Sequence, residues 1–245
     1  MGGVGGIDMI DIPSLLMGKA AGGGGSGGGL AVWQVGYFGF GEGKSATSIT
    51  VEINSYKGKY ALISVMHRAV LTAPSGCILL DKTTYVNSNI TQYVSIFKAS
   101  IDSDSASFTF TQDESVRISA TAWVIGINFT LDKVATGEFR YYIEKYNITT
   151  SNLSFVTFNA VNSTSLYTAH DFVADSNGVW LCQPVPHYDG NNSYKSTPNL
   201  RHFSGVIPAT AEERTVWVQE KTPAPVDLSS QTSEAQVVTY TISAA

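Results

Sequence analysis

Hydrophobic and polar residues alternate with a period of two through much of the chain from Leu30 onward. Ile49, Val51 and Ile53, for example, alternate with polar residues, which is typical of a β-strand that buries one face. No stretch of ten or more residues in this region shows the 3.6-residue period of an amphipathic helix. Short strands separated by polar turns predict an all-β protein, built as an antiparallel β-sandwich of the jelly-roll or immunoglobulin-like kind.

The predicted strands fall into two blocks. A nearly continuous apolar run at residues 60–71 predicts a central strand. The other predicted strands are 49–53, 77–80, 93–99, 107–111 and 115–127 in the first block, and 139–146, 153–161, 178–182, 215–219 and 237–242 in the second. Two sandwiches, over residues 30–130 and 131–245, are the favoured division, and one larger sandwich over residues 30–245 is the alternative.

A glycine-rich stretch at residues 22–29 separates a short apolar peptide from this β-region. Because glycine has no side chain to pack and a large backbone entropy to lose, the stretch predicts a flexible linker. Pro13 and the glycines after Ala21 frame a short helical or extended anchor within residues 1–29, with a disordered tail as the alternative. A helix this short needs a docking surface. The predicted anchoring residues are Ile7, Met9, Ile10, Ile12, Leu15, Leu16 and Met17.

Composition and charge argue against two classes of partner. The 245 residues carry a formal net charge of -5 and contain no cluster of Lys and Arg, so nucleic-acid binding is not expected. No segment reaches the roughly 18–20 apolar residues of a membrane span. The N-terminus lacks the basic start of a signal peptide, and acidic residues interrupt its apolar region. We therefore expect a soluble protein that is made in a cytoplasm.

Residues that bind metals or carry nucleophilic chemistry occur without the spacing that such sites need. Cys77 and Cys182 are interpreted as buried free thiols, with a disulfide between them as the alternative. His67 falls within a predicted strand, where a core or edge histidine is the expected role. We expect no metal site and no cofactor. The four histidines are His67, His170, His187 and His202.

Acidic residues offer pairs that glycoside hydrolysis would require. A chain with 20 acidic residues always contains such pairs, so no enzyme activity is predicted, and a polysaccharide depolymerase is kept as an alternative. The carboxylates considered are Asp102, Asp104, Asp113 and Glu114.

One loop has a composition that suits recognition of sugars or proteins. It combines aromatic faces for stacking with amide and hydroxyl groups for hydrogen bonds. A stand-alone carbohydrate-binding module is therefore the first alternative function, ahead of the depolymerase, and an ordinary solvated loop is the other interpretation of these residues. The candidate recognition residues are Tyr188, Asn191, Asn192 and Tyr194.

Two stretches resemble segments of tailed-bacteriophage structural proteins. Residues 62–76 (LISVMHRAVLTAPSG), followed by an apolar strand, are similar to segments of those proteins. Residues 12–19 (IPSLLMGK) and the glycine-rich arm after them resemble the N-termini of phage fibre and appendage proteins, and residues 108–112 and 118–123 fit the same pattern. The resemblance covers about residues 7–125. In those families Trp commonly follows Pro-Ser-Gly, whereas this chain has Cys77.

The resemblance implies a virion component without catalytic residues. It would be a fibre, tail-appendage or head-decoration subunit that is made in the host cytoplasm and located in the virion. Its N-terminal residues 7–21 would bind other virion proteins, and its β-sandwiches would be displayed, with a host-surface glycan or protein as a further partner. Such subunits form homo-oligomers, and a trimer is typical of fibres.

Overall fold

The computed structural model describes residues 30–39, 45–87, 90–139, 143–149, 153–161, 170–174, 202–207, 213–220 and 234–245. These residues form antiparallel β-sheets without a helix, which confirms the all-β, sandwich-type fold class. The strands are β1 (Val32–Gly39), β2 (Ala46–Asn54), β3 (Tyr60–His67), β4 (Leu71–Thr72), β5 (Cys77–Asn87), β6 (Ile90–Ser100), β7 (Ser105–Val116), β8 (Ile118–Ile125), β9 (Phe129–Phe139), β10 (Ile143–Thr149), β11 (Ser154–Val161), β12 (His170–Ala174), β13 (His202–Ile207), β14 (Glu213–Glu220) and β15 (Glu234–Ala244).

The strands are arranged in four sheets. Sheet A has the order β1-β8-β3-β6-β5, sheet B β2-β7-β4, sheet C β13-β11-β15-β9 and sheet D β10-β14-β12. Sheet A lies between two other sheets: one of its faces packs against sheet B and the other against sheet C. We call these its B face and its C face.

The B face of sheet A forms a core with the alternating apolar residues of sheet B. From β2, Ile49, Val51 and Ile53 point inward, as their period of two predicts. They meet β3 and β8 residues such as Ile63 and Val124, which are fully buried. The same core contains small residues of β8, Ala120 and Ala122, and larger rings from β6 and β7 such as Phe97 and Phe110.

The C face of sheet A forms a second core with sheet C. Leu62 and Trp123 from sheet A pack with Phe155 and Tyr240 from sheet C, and all four are buried. Alternate residues of β3 and β8 point to opposite faces of sheet A, and each face is covered by a core. Nearly every position along both strands is therefore buried. This explains why residues 60–67 have a continuous apolar run instead of a half-buried alternation.

The structure confirms the central position predicted for the run at 60–71 but shortens the strand. β3 ends at His67, and residues 68–70 turn the chain into the short strand β4. The strand predicted at 115–127 is likewise divided, because β7 ends at Val116 and β8 begins at Ile118. Both breaks let the chain leave one sheet and enter the other, which a single sequence pattern does not reveal.

The predicted boundary near residue 130 falls at the start of β9. Sheets A and B are built from strands before it, and sheets C and D from β9 onward. Sheet C nevertheless packs directly on sheet A. The division into two sandwiches therefore stays a prediction. The anchor and linker at residues 1–29 lie outside the described residues.

Candidate functional site

Both sets of predicted site residues lie outside the part of the chain that the structure describes. The anchoring residues belong to the segment before Leu30, and the recognition loop with Tyr188, Asn191, Asn192 and Tyr194 lies between Ala174 and His202. Anchoring and recognition therefore stay predictions. Cys182 lies outside the described residues as well, whereas Cys77 is a half-buried free thiol whose pKa is raised to about 11 by burial.

The four carboxylates considered for hydrolysis lie at opposite ends of β7. Asp102 and Asp104 are in the loop before this strand, whereas Asp113 and Glu114 are in its last residues. At about 3.3 Å per residue, the two pairs are separated by roughly 25–30 Å. A glycosidase places its two carboxyl groups about 5–9.5 Å apart, so no cross-pair between these ends can flank one bond. Asp113 instead accepts a hydrogen bond from the backbone N–H of Val70 (2.9 Å).

Trp33 and Tyr56 form a partly exposed aromatic pair near one end of the A–B core. Their ring centroids are 5.8 Å apart, and the ammonium of Lys59 lies 5.1 Å from the centre of the Trp33 ring. The Trp33 side chain also packs against the buried residues between sheets A and B. One face of the Trp33 ring is therefore in contact with the Lys59 ammonium, which is a cation–π arrangement.

Polar side chains fill one end of the interface between sheets A and C. We call these side chains the interlayer polar cluster, because they come from both layers: β3, β6 and β8 of sheet A, and β11 and β13 of sheet C. The other end of the same interface is the apolar core around Trp123. The cluster consists of Ser64, Gln92, Ser119, Thr121, Asn159, His202 and Ser204, all of which are buried.

His202 connects sheet C to two strands of sheet A. Its Nε2 lies 2.8 Å from the hydroxyl oxygen of Ser64, and its Nδ1 lies 3.3 Å from that of Ser119. Complete burial lowers the pKa of His202 to about 3, and the nearby His67 contributes to the shift. The imidazole is therefore neutral at pH 7 and can donate one hydrogen bond and accept the other.

The hydrogen bonds of Ser64, His202 and Ser119 have the connectivity of a serine–histidine nucleophilic pair with a third orienting group. Such a pair requires a substrate to reach the serine oxygen. Ser64 and His202 are both fully buried between the two sheets. The arrangement therefore joins layers, because each buried hydroxyl and ring nitrogen has a partner from the opposite sheet.

Three further contacts belong to the cluster. The hydroxyl of Ser204 lies 2.5 Å from that of Thr121 and accepts a hydrogen bond from the indole N–H of Trp123 (2.9 Å). At the margin of the cluster, the side-chain amide of Gln92 donates to the Asn159 oxygen on β11. These contacts again link sheet A to sheet C. No local pattern in the sequence marks the pairing, since the partners are 67 to 83 positions apart.

Arg68 extends the cluster toward the surface. Its Nε and one terminal nitrogen each donate to the side-chain oxygen of Gln92 at 3.1 Å. Burial lowers the pKa of Arg68 to about 10, and the neighbouring Arg117 acts in the same direction. The guanidinium is still charged at pH 7, and it orients Gln92 toward Asn159.

A second buried histidine, His67, lies on the B face at the end of β3, in agreement with the predicted core or edge role. Its Nδ1–H donates to the carbonyl oxygen of Ala69 (2.8 Å), and the Ser95 hydroxyl donates to its Nε2 (2.9 Å). The carbonyl can only accept, which fixes the tautomer. Burial lowers the pKa of His67 to about 4, and the positive charge of Lys82 adds to the effect. The ring stacks on Tyr93, whose centroid is 5.2 Å away.

Six large aliphatic side chains of the described residues are exposed, and three of them are on β5, one of the two edge strands of sheet A. The others are Val70 after β3, Ile127 after β8 and Val134 on β9. Each is between 46% and 70% exposed. We call this set the β5 apolar margin: Val70, Ile78, Leu79, Val86, Ile127 and Val134. The sequence predicted a strand at 77–80 but gave no signal that its apolar residues face solvent.

Two contacts place the neighbouring segments beside β5. Asp81 on β5 accepts hydrogen bonds from the Lys133 ammonium (2.7 Å) and the Tyr240 hydroxyl (2.8 Å), so Val134 of β9 lies close to the strand. Lys98, which is paired with Ile78, donates to the side chain of Asn128 (3.1 Å) and thereby brings Ile127 near the same edge.

Within the described ranges, no group of three or more His, Cys, Asp and Glu side chains is placed to hold a metal ion. The same residues include no helix with the length and apolar character needed to cross a membrane. Comparisons with protein-family models, with curated proteins and with solved structures found no match to this chain.

Proposed function

We propose that this chain is a non-enzymatic structural subunit of a tailed-bacteriophage virion, of the fibre, tail-appendage or head-decoration kind. In this proposal residues 7–21 bind another virion protein, and the glycine-rich linker separates that contact from the displayed β-sheets. The assignment to phages rests on the resemblance of residues 7–125 to structural proteins of tailed bacteriophages.

The β5 apolar margin is the observation that carries the proposal of an assembly subunit. Three of its aliphatic side chains, Ile78, Leu79 and Val86, lie on the edge strand β5 and are 53–62% exposed. Isolated apolar residues are common on protein surfaces, but exposed apolar residues grouped on an edge strand are typical of an interaction site. A subunit covered by neighbours in an assembly would bury this surface, whereas a free monomer would leave it in water.

The layered construction suits a passive, load-bearing role. Both faces of the central sheet are covered, and hydrogen bonds of His202 and Ser204 hold sheet C to sheet A. Because hydrogen bonds are directional, contacts of this kind fix the relative position of two layers more strictly than apolar contacts alone. Display of a rigid body on many copies gives binding through avidity and needs no catalytic site.

Mass spectrometry and immunogold labelling of purified virions test the proposal. We expect the full chain in virions of the phage that encodes it, and we expect loss of incorporation when residues 1–29 are deleted. Replacing Leu15 and Leu16 by Asp should have the same effect, since the anchor is predicted to bind through apolar contacts. Ser14→Asp is the matched control and should be incorporated normally. Absence of the full chain from purified virions would refute the proposal.

A further inference from the structure

We infer that the surface end of the interlayer polar cluster binds a phosphate group through Arg68, Arg117 and the side-chain amide of Asn159. The inference goes beyond the proposed function and does not depend on it. Two half-buried arginines supply the positive charge of the site, and a buried amide N–H supplies a donor from the opposite sheet.

The pairing of β3 with β8 brings the two arginines together. The outermost pair at this end is His67 with Ile118, so Arg68 and Arg117 are the next residues of neighbouring chain segments. Like charges in such positions repel each other. Burial and the positive charge of Arg117 both lower the pKa of Arg68, to about 10. An anion between the two guanidinium groups would replace this repulsion by attraction to both of them.

Arg68 is held by a neutral partner. Two of its nitrogens donate to the Gln92 side-chain oxygen at 3.1 Å each, and within the described ranges no carboxylate forms a salt bridge with it. Asp113, near the end of β7, accepts a hydrogen bond from the Val70 N–H instead. A charged guanidinium that is half-buried without a counter-ion is costly, and a bound anion would supply that counter-ion.

A chain of side-chain amides leads from Arg68 into the interior. A guanidinium can only donate, so the oxygen of Gln92 faces Arg68 and its NH₂ group donates to the Asn159 oxygen. The NH₂ group of Asn159 is then the last member of the chain. Asn159 is 2% exposed, and among the described residues nothing accepts a hydrogen bond from its Nδ2. Since buried donors almost always have an acceptor, we expect a bound acceptor here.

The competing acceptor for this N–H lies on β15. Gln236 is paired with Asn159, and its Oε1 is also buried without a partner among the described residues. Its NH₂ group donates to the Thr84 carbonyl on β5 (3.4 Å), which places this side chain on the far side of Asn159 from Arg68. A water molecule between the two amides is therefore the alternative to phosphate, and NMR distinguishes the two.

The directions of the donors favour phosphate over a carboxylate. The arginines belong to the sheet A side of the interface, whereas Asn159 belongs to β11 of sheet C. A carboxylate presents its oxygens in one plane, whereas the oxygens of phosphate point tetrahedrally, so phosphate can accept from both sheets at once. Its charge of about -1.5 to -2 at pH 7 also matches the two guanidinium groups.

Isothermal titration calorimetry of the full chain with inorganic phosphate tests the site. At about 0.15 M ionic strength, where exposed charges are largely screened, we expect saturable binding of one phosphate per chain. Arg68→Met and Arg117→Met each remove a charge-assisted donor, so each should weaken binding at least about tenfold. Lys57→Met is the matched control, because Lys57 is exposed in the turn after β2 and its loss should leave the affinity unchanged. A wild type that does not bind phosphate, or an equal loss in Lys57→Met, would overturn the inference.

NMR of the wild type tests the role of Asn159 without depending on how a variant folds. Phosphate should shift the side-chain NH₂ signals of Asn159, which are assigned by their loss in Asn159→Asp. The side-chain signals of Asn128, which is exposed and accepts from Lys98, are the control and should not move. Unshifted Asn159 signals in the presence of bound phosphate would mean that water is the acceptor, and the inference would then be wrong.

Two further anions identify what the site accepts. Binding of methyl phosphate would show that the site takes a phosphate group carried by a larger molecule, whereas binding of inorganic phosphate alone would show a site for the free ion. Either result supports the inference. Acetate should not displace bound phosphate, because its planar carboxylate cannot reach the donors of both sheets. Displacement by acetate at an equal concentration would contradict the assignment to phosphate.

Discussion

Acidification from pH 7 to pH 5 should destabilise this protein through its two buried histidines. Burial lowers the pKa of His67 to about 4 and that of His202 to about 3. An unfolded histidine has a pKa of about 6.5, so the unfolded chain binds more protons than the folded chain between pH 6.5 and those values. The free energy of unfolding therefore falls as the pH is lowered from 6.5 toward the pKa values of the folded state. Above pH 6.5 the two histidines do not make the free energy of unfolding depend on pH.

The magnitude follows from the width of the window. Each pH unit within it costs about 1.4 kcal/mol for each histidine, so the step from pH 7 to pH 5 costs roughly 2 kcal/mol for each and about 4 kcal/mol for both. This is a large part of the 5–15 kcal/mol that stabilises an ordinary domain. His202 should dominate below pH 4, because its lower pKa keeps the folded state from taking up a proton there.

Urea unfolding followed by intrinsic tryptophan fluorescence measures the effect at pH 7 and pH 5. His67→Asn retains a donor for the Ala69 carbonyl, and His202→Gln retains a polar group near Ser64, while each variant removes one group that can take up a proton. Each variant should lose about 2 kcal/mol less than the wild type between the two pH values. Carboxylates contribute equally to wild type and variants, so the difference isolates the histidine.

An equal loss of stability in the wild type and in both variants would refute this reasoning. It would mean that the histidines are accessible to protons in the folded state, and hence that sheet C does not cover the cluster as the structure places it. A larger loss for His202→Gln than for the wild type would equally contradict the expected sign.

Two further substitutions probe the layers and a turn. Ser204→Ala should lower the free energy of unfolding in urea titrations by about 2 kcal/mol, because the Thr121 hydroxyl and the Trp123 indole N–H lose a buried partner. The surface control Ser103→Ala should change the free energy of unfolding by less than about 0.5 kcal/mol. Equal effects of the two substitutions would contradict the role of Ser204. Gly58→Ala should lower the free energy of unfolding by about 1 kcal/mol and the Tm in a thermal scan by about 2–4 °C. The cost comes from the backbone, since Gly58 has φ +80° and an added Cβ would meet no other atom. An unchanged Tm would contradict this prediction and show that the turn adopts another backbone conformation.

The sequence by itself determined the fold class and many of the strands. Alternation in β2 predicted its inward residues correctly, and the continuous apolar run starting at Tyr60 predicted a strand at the centre of a sheet. These predictions succeed because a strand's period of two is a local property, and a residue's face follows from its parity. They do not extend to which sheets pack together, since that depends on contacts between distant segments.

Only the tertiary structure decided where polar residues are buried and where apolar residues are exposed. Ser119 and Thr121 alternate with apolar residues in β8 and would be assigned to solvent, but sheet C covers them and supplies partners such as His202 and Ser204. Ile78, by contrast, belongs to an apolar strand yet is 58% exposed, because at this edge of sheet A the neighbouring layer leaves its side chain uncovered. The physical reason is the same in both cases: burial depends on which layer covers a face, and a residue's own neighbours in sequence do not encode that layer.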